Sequence, residues 1–301
     1  MAPPAGQPGR EQAYLVDASV YIFRAWHSMP DRFEDPAGNP TNAVYGFARF
    51  LCELLEQTRA DHVAVAFDES LTTSFRNEIY PEYKANRDPA PEELKRQFAW
   101  CQDLGRALGL TVCADSYYEA DDLIATLAEQ CRSRRQSVCV VTGDKDLAQL
   151  LVDDDHWWDF SRRRRLDRQG VFDHFGVHPH QIADFLALTG DSVDNIPGVP
   201  GVGPKTASAL MARFGSLDAI YNRLDEIAWL KIRGAKTLAA KLREHEAAAR
   251  LARRLTGLHR EVPVLADAGE LQRSGGDADG LDALLDSLGF GRPLRERLHR
   301  L

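Results

Sequence analysis

Nine acidic side chains in five short segments are the residues of this chain best suited to chemistry. They are Asp17 in LVDAS, Asp68 in VAVAFD, Glu119, Asp121 and Asp122 in YEADDLIAT, Asp144 and Asp146 in GDKDL, and Asp191 and Asp194 in TGDSVDNIPG. Carboxylate oxygens are the ligands that Mg²⁺ prefers, and pairs of such cations catalyse phosphodiester hydrolysis. These segments predict a divalent-metal site, provided that the fold brings them together.

The positions of these acids relative to apolar runs indicate how they converge. Runs at 13–16, 62–67, 110–113 and 137–142 have the composition of strands. Asp17, Asp68 and Asp144 each follow one of these runs, and the carboxyl ends of parallel strands share one edge of a sheet. Gathered carboxylates repel one another strongly unless cations neutralise them. Taken singly, each acid is better explained as a turn or helix-cap residue, so only the joint pattern indicates a metal site.

The remaining periodicities predict the rest of the architecture. One helix has Val44, Phe47, Leu51, Leu54 and Leu55 on a single face, and others are predicted at 92–108, from 121 and just after Asp144. After residue 180 the helical segments are 181–189, 204–214, 216–224, 235–256 and 281–288, with a loop at 267–280. We predict a disordered lead-in at 1–10, a three-layer α/β domain with a mainly parallel central sheet at 11–180, and a helical domain at 181–301.

Three segments have features that suit contact with a polyanion. Residues 196–214 combine two Gly-rich turns with Lys205 and contain no acid. The backbone N–H groups at a helix start there can face a phosphate, and the residues concerned are Gly201, Val202, Gly203, Pro204, Lys205 and Thr206. Residues 229–260 hold nine Lys or Arg against two Glu, whereas 75–106 hold six basic and six acidic residues. By composition alone, however, the glycines suit ordinary turns and the charged stretches suit solvated helix faces.

Global composition narrows the class of protein. The 301 residues have a formal net charge of −8, which by itself argues weakly against a nucleic-acid partner. The five cysteines form no CxxC pair and are expected to be reduced core residues of a cytoplasmic protein. No apolar run approaches the roughly 20 residues of a membrane span. The Arg run at 162–165 is expected in an exposed hairpin, and His174, His178 and His180 lack a metal-ligand spacing.

Together, these segments resemble the 5′-nuclease domain of bacterial DNA polymerase I and the wider flap endonuclease family, and we expect a stand-alone form. The resemblance runs from about Tyr14 to Leu301. It is carried by LVDASVYIFRAWH, VAVAFD, FRNEIYPEYKANRDPAPEELKRQ, YYEADDLIATLA, VVTGDKDLAQLL and LTGDSVDNIPGVPGVGPKTA. It implies a PIN-like nuclease domain and a helix–three-turn–helix hairpin that binds duplex DNA. It also implies cleavage of DNA at 5′ flaps, 5′ ends or branch points, with 5′-phosphate and 3′-hydroxyl products.

The resemblance further implies roles for individual residues. Asp17, Asp68, Glu119, Asp121 and Asp122 would serve a first Mg²⁺, and Asp144, Asp146, Asp191 and Asp194 a second, with Mn²⁺ able to substitute. Lys84 and Arg87 match catalytic residues that reach the scissile phosphate, below an arch at about 70–106 where Arg76 and Tyr83 would contact DNA. A potassium ion would be held by the backbone carbonyls of Leu188, Thr189, Pro197, Val199 and Val202.

The resemblance also implies partners and a cellular location. We expect a monomer in the bacterial cytoplasm, associated with the nucleoid, that contacts a separate DNA polymerase or sliding clamp. Two other functions remain open from the sequence. The first is a non-catalytic protein that binds DNA junctions, which the intact set of acids argues against. The second is a ribonuclease of a smaller related α/β class, which generally lacks the duplex-binding hairpin.

Overall fold

A computed structural model describes residues 11–30, 32–69, 73–230, 232, 234–263 and 271–301. The predicted disordered lead-in at 1–10 lies outside the described residues. So do residues 70–72 of the predicted arch and Lys231 and Arg233 of the basic stretch.

The described residues form one sheet of six strands, five of them parallel. The strands are β1 (Gln12–Asp17), β2 (His62–Asp68), β3 (Thr111–Asp115), β4 (Ser137–Val141), β5 (His156–Asp159) and β6 (Arg164–Leu166). Their order across the sheet is β3-β2-β1-β4-β5-β6, and only β6 runs antiparallel to its neighbour. Strand β1 therefore lies between β2 and β4, which brings the carboxyl ends of these three strands side by side.

Helices cover both faces of the sheet and make up most of the second half of the chain. In the first half they are α1 (Ala18–Ser28), α2 (Asn42–Thr58), α3 (Phe75–Ile79), α4 (Glu92–Ala107), α5 (Ala120–Ser133) and α6 (Arg168–Phe175). In the second half they are α7 (Ile182–Thr189), α8 (Pro204–Phe214), α9 (Leu217–Asn222), α10 (Ala235–Glu244), α11 (Glu246–Thr256), α12 (Ala278–Ser287) and α13 (Arg292–Leu298). No helix among the described residues is both long and apolar enough to cross a membrane.

The alternation of side chains along β1 explains the three layers. Tyr14 and Val16 pack into a core shared with α1, α2 and α4, whereas Ala13 and Leu15 pack into a second core against α5. Successive residues of a strand point to opposite faces, so an apolar run of this kind must be covered on both sides. The predicted three-layer α/β fold with a mainly parallel sheet is confirmed, and the five cysteines are buried and free as expected.

The helical part follows the prediction closely but differs at one place. The single helix predicted at 235–256 is broken at His245, which ends α10 and precedes α11. Periodicity misses this break because histidine is compatible with a helix and the apolar spacing continues across it. Helices α12 and α13 pack with α4 and α2, and Leu285 and Leu298 enter the core of the first half. These two helices follow the division predicted at residue 180 and pack against the core of the first half.

The Arg run at 162–165 is exposed in the β5–β6 hairpin, as predicted. The strand expected just before this run is β5, whose four residues include Trp157 and Trp158.

Candidate active site

Three aspartates lie along the carboxyl edge of neighbouring strands. Asp17 ends β1, Asp68 ends β2, and Asp144 follows β4 by three residues. Burial and the neighbouring Asp68 raise the pKa of Asp17 to about 7, with a further contribution from Asp144. The edge predicted from the strand pattern thus holds more negative charge than its surroundings can solvate.

The start of α5 brings two more acids to the same edge. Glu119 is the N-cap residue of α5, and the N–H of Ala120 donates to Asp68 Oδ1 at 2.9 Å. This bond fixes the helix start to the end of β2. Asp121 lies just inside the helix, and its pKa is raised well above the ordinary value by burial, then by Asp144 and Asp17. These effects require Asp121 to stand close to the strand-end aspartates.

A second group of acids is tied to the first through Thr142. The hydroxyl of Thr142 donates to Asp17 Oδ2 at 2.8 Å and accepts from the N–H of Asp144 at 2.9 Å. Asp144 in turn accepts from the N–H of Asp146 at 2.8 Å. Burial and the neighbouring Asp144 raise the pKa of Asp146 well above its ordinary value. Thr142 was not predicted as a site residue, because a threonine ending a strand carries no distinctive pattern.

Three cationic side chains offset part of this charge. Lys84 Nζ contacts Glu119 Oε1 at 2.9 Å, and Arg87 forms an ion pair with Asp194. Burial opposes ionisation of Glu119, but Lys84 and then Arg76 outweigh it and lower the pKa of Glu119. Burial likewise opposes the charge on Lys84, but Glu119 and Asp194 outweigh it and raise the pKa of Lys84. Lys84 therefore stays protonated at neutral pH.

The segment that carries Lys84 and Arg87 rests on the loop that carries Asp194. Lys84 N–H donates to the carbonyl of Asp194 at 3.0 Å, and Asn195 Nδ2 donates to the carbonyl of Glu82 at 2.7 Å. Lys84 has a φ of +54°, an uncommon conformation for a residue with a side chain. These bonds join a segment of the first half to the loop at 190–196 of the second. Both predicted catalytic cations therefore lie beside the acids.

Arg76 does not contact solvent, and its predicted role in binding DNA is wrong for this structure. Its side chain is 2% exposed, and all five guanidinium N–H donors face acceptors. Two of its nitrogens bind Asp122, at 2.6 and 2.9 Å, and one also faces Glu119 Oε2 at 3.4 Å. The other donors reach the carbonyls of Leu255 and Gly257, each at 2.9 Å.

Asp122 is correspondingly saturated. Its Oδ1 accepts from Arg76 and from the N–H of His259, and its Oδ2 accepts from Arg76 and from the N–H of Glu119. A carboxylate offers about four acceptor positions, so no position remains for a cation. The predicted metal role of Asp122 does not fit this geometry. The Arg76–Asp122 pair instead joins α3, α5 and the end of α11.

Tyr83 is also buried rather than available to a base. The residue is 3% exposed, and its hydroxyl lies 2.9 Å from Glu119 Oε2 and 3.2 Å from Asp194 Oδ2. Stacking on DNA requires an accessible ring face, so the predicted DNA contact is wrong for this structure. Tyr83 instead links an acid at the start of α5 to an acid of the second half.

The Gly-rich turn at 198–203 joins α7 to α8 close to the acid-bearing loop. A Cβ added to Gly198 would lie 2.3 Å from Gly190 N, so the two backbone segments cross in contact. Val199 and Val202 are buried, whereas Gly201, Gly203, Pro204 and Lys205 are exposed and Thr206 is half-buried. Lys241 Nζ reaches to 2.9 Å from the position that a Cβ on Gly201 would take. Sequence reasoning counted Lys241 only within the basic stretch and missed its proximity to this turn.

Three of the five residues whose carbonyls are predicted to hold potassium line an open depression of about 420 Å³, whereas Leu188 and Pro197 do not line it. Thr189, Val199 and Val202 line it, together with Gly198 and Gly201. The Leu188 carbonyl accepts from Val199 N–H at 2.8 Å, and the Val199 carbonyl accepts from Val202 N–H at 2.9 Å. The turn is therefore held by its own backbone hydrogen bonds. Each of these carbonyl oxygens keeps a second lone pair, which could still bind a cation.

The acids fit a divalent cation by charge but are not arranged as a finished coordination shell. No group of three or more His, Cys, Asp or Glu side chains in the described part of the chain has the geometry of a formed metal site. Asp146 Oδ1 is buried without a hydrogen-bond partner, which is costly for a carboxylate oxygen. Together with the raised pKa values of Asp17, Asp121 and Asp144, this buried oxygen makes the group of acids a chemical fit for a hard divalent cation.

Comparisons with known protein families cover nearly all of the chain. Residues 12–176 match a family described as the 5′-3′ exonuclease N-terminal resolvase-like domain, and residues 177–279 match the 5′-3′ exonuclease C-terminal SAM fold. The DNA polymerase I of Mycobacterium tuberculosis is 39% identical over 307 residues, covering 99% of this chain and 33% of that protein. The DNA polymerase I of Pseudomonas aeruginosa is 42% identical over 285 residues, covering 94% and 29%. The chain thus spans about a third of the length of these relatives.

Two groups of solved structures share the fold. A bacteriophage T5 5′-exonuclease with bound divalent zinc ions aligns with a TM-score of 0.67 and 22% identity, over 96% of this chain and 97% of that one. The catalytic core of Rad2 in complex with a DNA substrate aligns with a TM-score of 0.61 and 18% identity, over 96% and 91%. At these identities the likeness concerns the fold.

Proposed function

The chain belongs to the 5′-3′ exonuclease family, whose members are metal-dependent nucleases, and we propose that it hydrolyses DNA phosphodiester bonds at 5′ flaps, 5′ ends or branch points. The single observation that carries the proposal is the gathering of acids from both halves of the chain around one sheet edge. Thr142 and Tyr83 link the two groups of acids directly.

The proposed ligands of two Mg²⁺ ions fall into these two groups. Asp17, Asp68, Glu119 and Asp121 would hold the first, and Asp144, Asp146, Asp191 and Asp194 the second. When bound, the cations would supply the positive charge that phosphodiester hydrolysis requires at the attacking and leaving oxygens. Mn²⁺ has similar ligand preferences and is expected to substitute. The binding of divalent metal ions by the similar T5 5′-exonuclease supports a divalent cation in this chain.

The chain's own cations would orient the substrate. Lys84 is held beside Glu119 and Arg87 beside Asp194, so both positive charges lie next to the proposed metal ligands. A phosphate that approaches the acids would find two fixed positive charges, which bind its oxygens and stabilise charge that builds up during cleavage. Tyr83 and Arg76 would contribute by fixing the positions of Glu119 and of the segment that carries Lys84.

The hairpin between α7 and α8 would bind duplex DNA by its backbone. Exposed glycines at the turn permit close approach, and Lys205 and Lys241 add charge beside it. The crossing of Gly190 and Gly198 places this turn directly against the loop that carries Asp191 and Asp194. A K⁺ ion at the carbonyls of Leu188, Thr189, Pro197, Val199 and Val202 belongs to the same proposal. We further propose a monomer of the bacterial cytoplasm that works beside a DNA polymerase or sliding clamp.

Cleavage of a labelled flap tests this proposal. A 5′-labelled DNA flap should be cut with Mg²⁺ and left intact with a chelator, and the new ends should be 5′-phosphate and 3′-hydroxyl. The Asp144→Ala variant should bind the flap but not cut it. Binding without cleavage at any Mg²⁺ or Mn²⁺ concentration would favour a non-catalytic junction-binding protein. Equal cleavage of single-stranded RNA, without preference for flaps, would favour a ribonuclease.

A further inference from the structure

Lys145 stands between two acids that come from different halves of the chain. Its Nζ lies 2.6 Å from Asp191 Oδ2 and 3.4 Å from Asp146 Oδ1. The Asp191 side chain is 6% exposed and that of Asp146 is 13% exposed, whereas the side chain of Lys145 is 44% exposed. The ammonium group thus reaches inwards from solvent to a pair of largely buried carboxylates.

Unlike an ordinary surface ion pair, this contact connects two segments of the fold through a carboxylate that is itself fixed in place. Asp191 Oδ1 accepts from the N–H of Val193 at 2.8 Å, and the backbone of Asp191 exchanges hydrogen bonds with Ile196 at 2.8 and 2.9 Å. The Asp191 carboxylate is therefore fixed within its own loop. Lys145 then connects that loop to the segment at 144–146, which belongs to the sheet edge.

The same two carboxylates are proposed ligands of the second divalent cation, so Lys145 and that cation compete for one position. Asp146 Oδ1 is a buried oxygen that has no hydrogen-bond partner, and the ammonium group of Lys145 lies 3.4 Å from it. A divalent cation that bound Asp146 and Asp191 together would remove the reason for Lys145 to remain there. The Lys145 side chain is 44% exposed, so it can turn towards solvent without displacing a buried neighbour's core packing.

We propose that Lys145 is a positioning residue that bridges Asp146 and Asp191 in the metal-free protein and leaves this position when a divalent cation binds. This inference rests on the proposed function, because it takes these two acids as metal ligands. Lys145 would keep the carboxylates of the two halves together before metal arrives. It would also weaken metal affinity, since its contact must be broken first.

The direct test follows the ammonium group of Lys145 itself. The chain has seven lysines, so selective ¹⁵N-lysine labelling gives a simple NMR spectrum, and a Lys145→Arg variant identifies the Lys145 signal. An ammonium group held by carboxylates exchanges slowly with water. Its signal should be present without metal and should be lost or shifted to the free-lysine position at saturating Mg²⁺, in the absence of DNA. A signal that stays unchanged while Mg²⁺ binds would overturn the proposal.

Metal affinity supplies a second test with matched variants. By calorimetry, Lys145→Met should bind Mn²⁺ about two- to tenfold more tightly than the wild type, because one net hydrogen bond no longer opposes binding. Lys95→Met is the control, since Lys95 forms an exposed pair with Glu92 on α4 and should leave the affinity unchanged. Equal affinity of Lys145→Met and wild type would overturn the proposal. If the wild type bound no Mn²⁺, the proposed function would fail as well.

Hydrogen exchange separates displacement from a simple effect of nearby charge. Without metal, the amides of Val193 and Ile196 should exchange faster in Lys145→Met than in wild type, because their loop has lost its link to Asp146. Mn²⁺ should restore their protection in the variant and change it little in wild type. Identical protection of the two metal-free proteins would show that Lys145 holds nothing in place.

Discussion

Replacement of Arg76 by methionine should destabilise the fold far more than loss of an ordinary ion pair. Methionine keeps the unbranched apolar stem of the side chain but lacks the guanidinium group and its five hydrogen bonds. Asp122, 0% exposed, would lose both bonds to the guanidinium group, and the carbonyls of Leu255 and Gly257 would each lose a partner. Removing one member of a buried pair leaves an uncompensated charge and costs about 3–5 kcal/mol. The two orphaned carbonyls place the expected value towards the upper end of that range.

Urea unfolding of the metal-free protein at pH 7.5 measures this loss, with circular dichroism as the signal. Arg106→Met is the matched control, because Arg106 pairs with Asp103 on the surface, where both side chains are more than half exposed. That control should cost less than about 1 kcal/mol. The structural role assigned to the Arg76–Asp122 pair is wrong if Arg76→Met loses no more unfolding free energy than Arg106→Met. The comparison requires that both variants keep the wild-type slope of unfolding free energy against urea concentration.

Three further predictions concern the acids and the hairpin. In the metal-free protein Asp122→Asn should lower the free energy of unfolding markedly, because Asp122 is bound by Arg76. Asp121→Asn should preserve or raise that free energy but weaken Mn²⁺ binding, because Asp121 is repelled by the neighbouring aspartates. Urea unfolding and calorimetry of both variants check this contrast. The pKa of Asp17 is about 7 in the folded protein and ordinarily 3.8, so folding favours the protonated carboxyl group. As pH falls from 8 to 5.5, the metal-free wild type should therefore gain stability relative to Asp17→Asn. A constant difference over that pH range would contradict the raised pKa. Lys205→Met should weaken duplex binding and reduce the slope of log affinity against log salt by about 1, and an unchanged slope in binding titrations would exclude a phosphate contact.

The sheet and the acids at its edge were predictable because apolar runs in the sequence identify the strands, and parallel strands all end at the same edge. Asp17 and Asp68 follow apolar runs, and parallel strands must bring their carboxyl ends to one edge. Helix α8 was predicted at 204–214 because proline begins it and glycine follows it. Neither inference requires knowledge of which side chains meet across the molecule.

Contacts between distant segments could not be predicted in the same way. Arg76 and Tyr83 look like surface residues in a charged stretch, and only the fold reveals that their partners bury them. Asp122 differs from Asp121 by one position on a helix, which turns its carboxylate towards Arg76 rather than towards the strand ends. Lys145 was passed over because its neighbours Asp144 and Asp146 carried the pattern, while its partner Asp191 lies 46 residues away in the sequence.

The central claim is that acids from both halves of the chain bind the same divalent cations. Anomalous diffraction from crystals of the whole chain soaked in Mn²⁺ tests it most directly. We predict a Mn²⁺ peak within bonding distance, about 2.0–2.3 Å, of carboxylate oxygens from both Asp146 and Asp191, and a second peak beside Asp17 and Asp121. Peaks confined to exposed surface carboxylates, with Lys145 still bound to Asp191, would contradict the account.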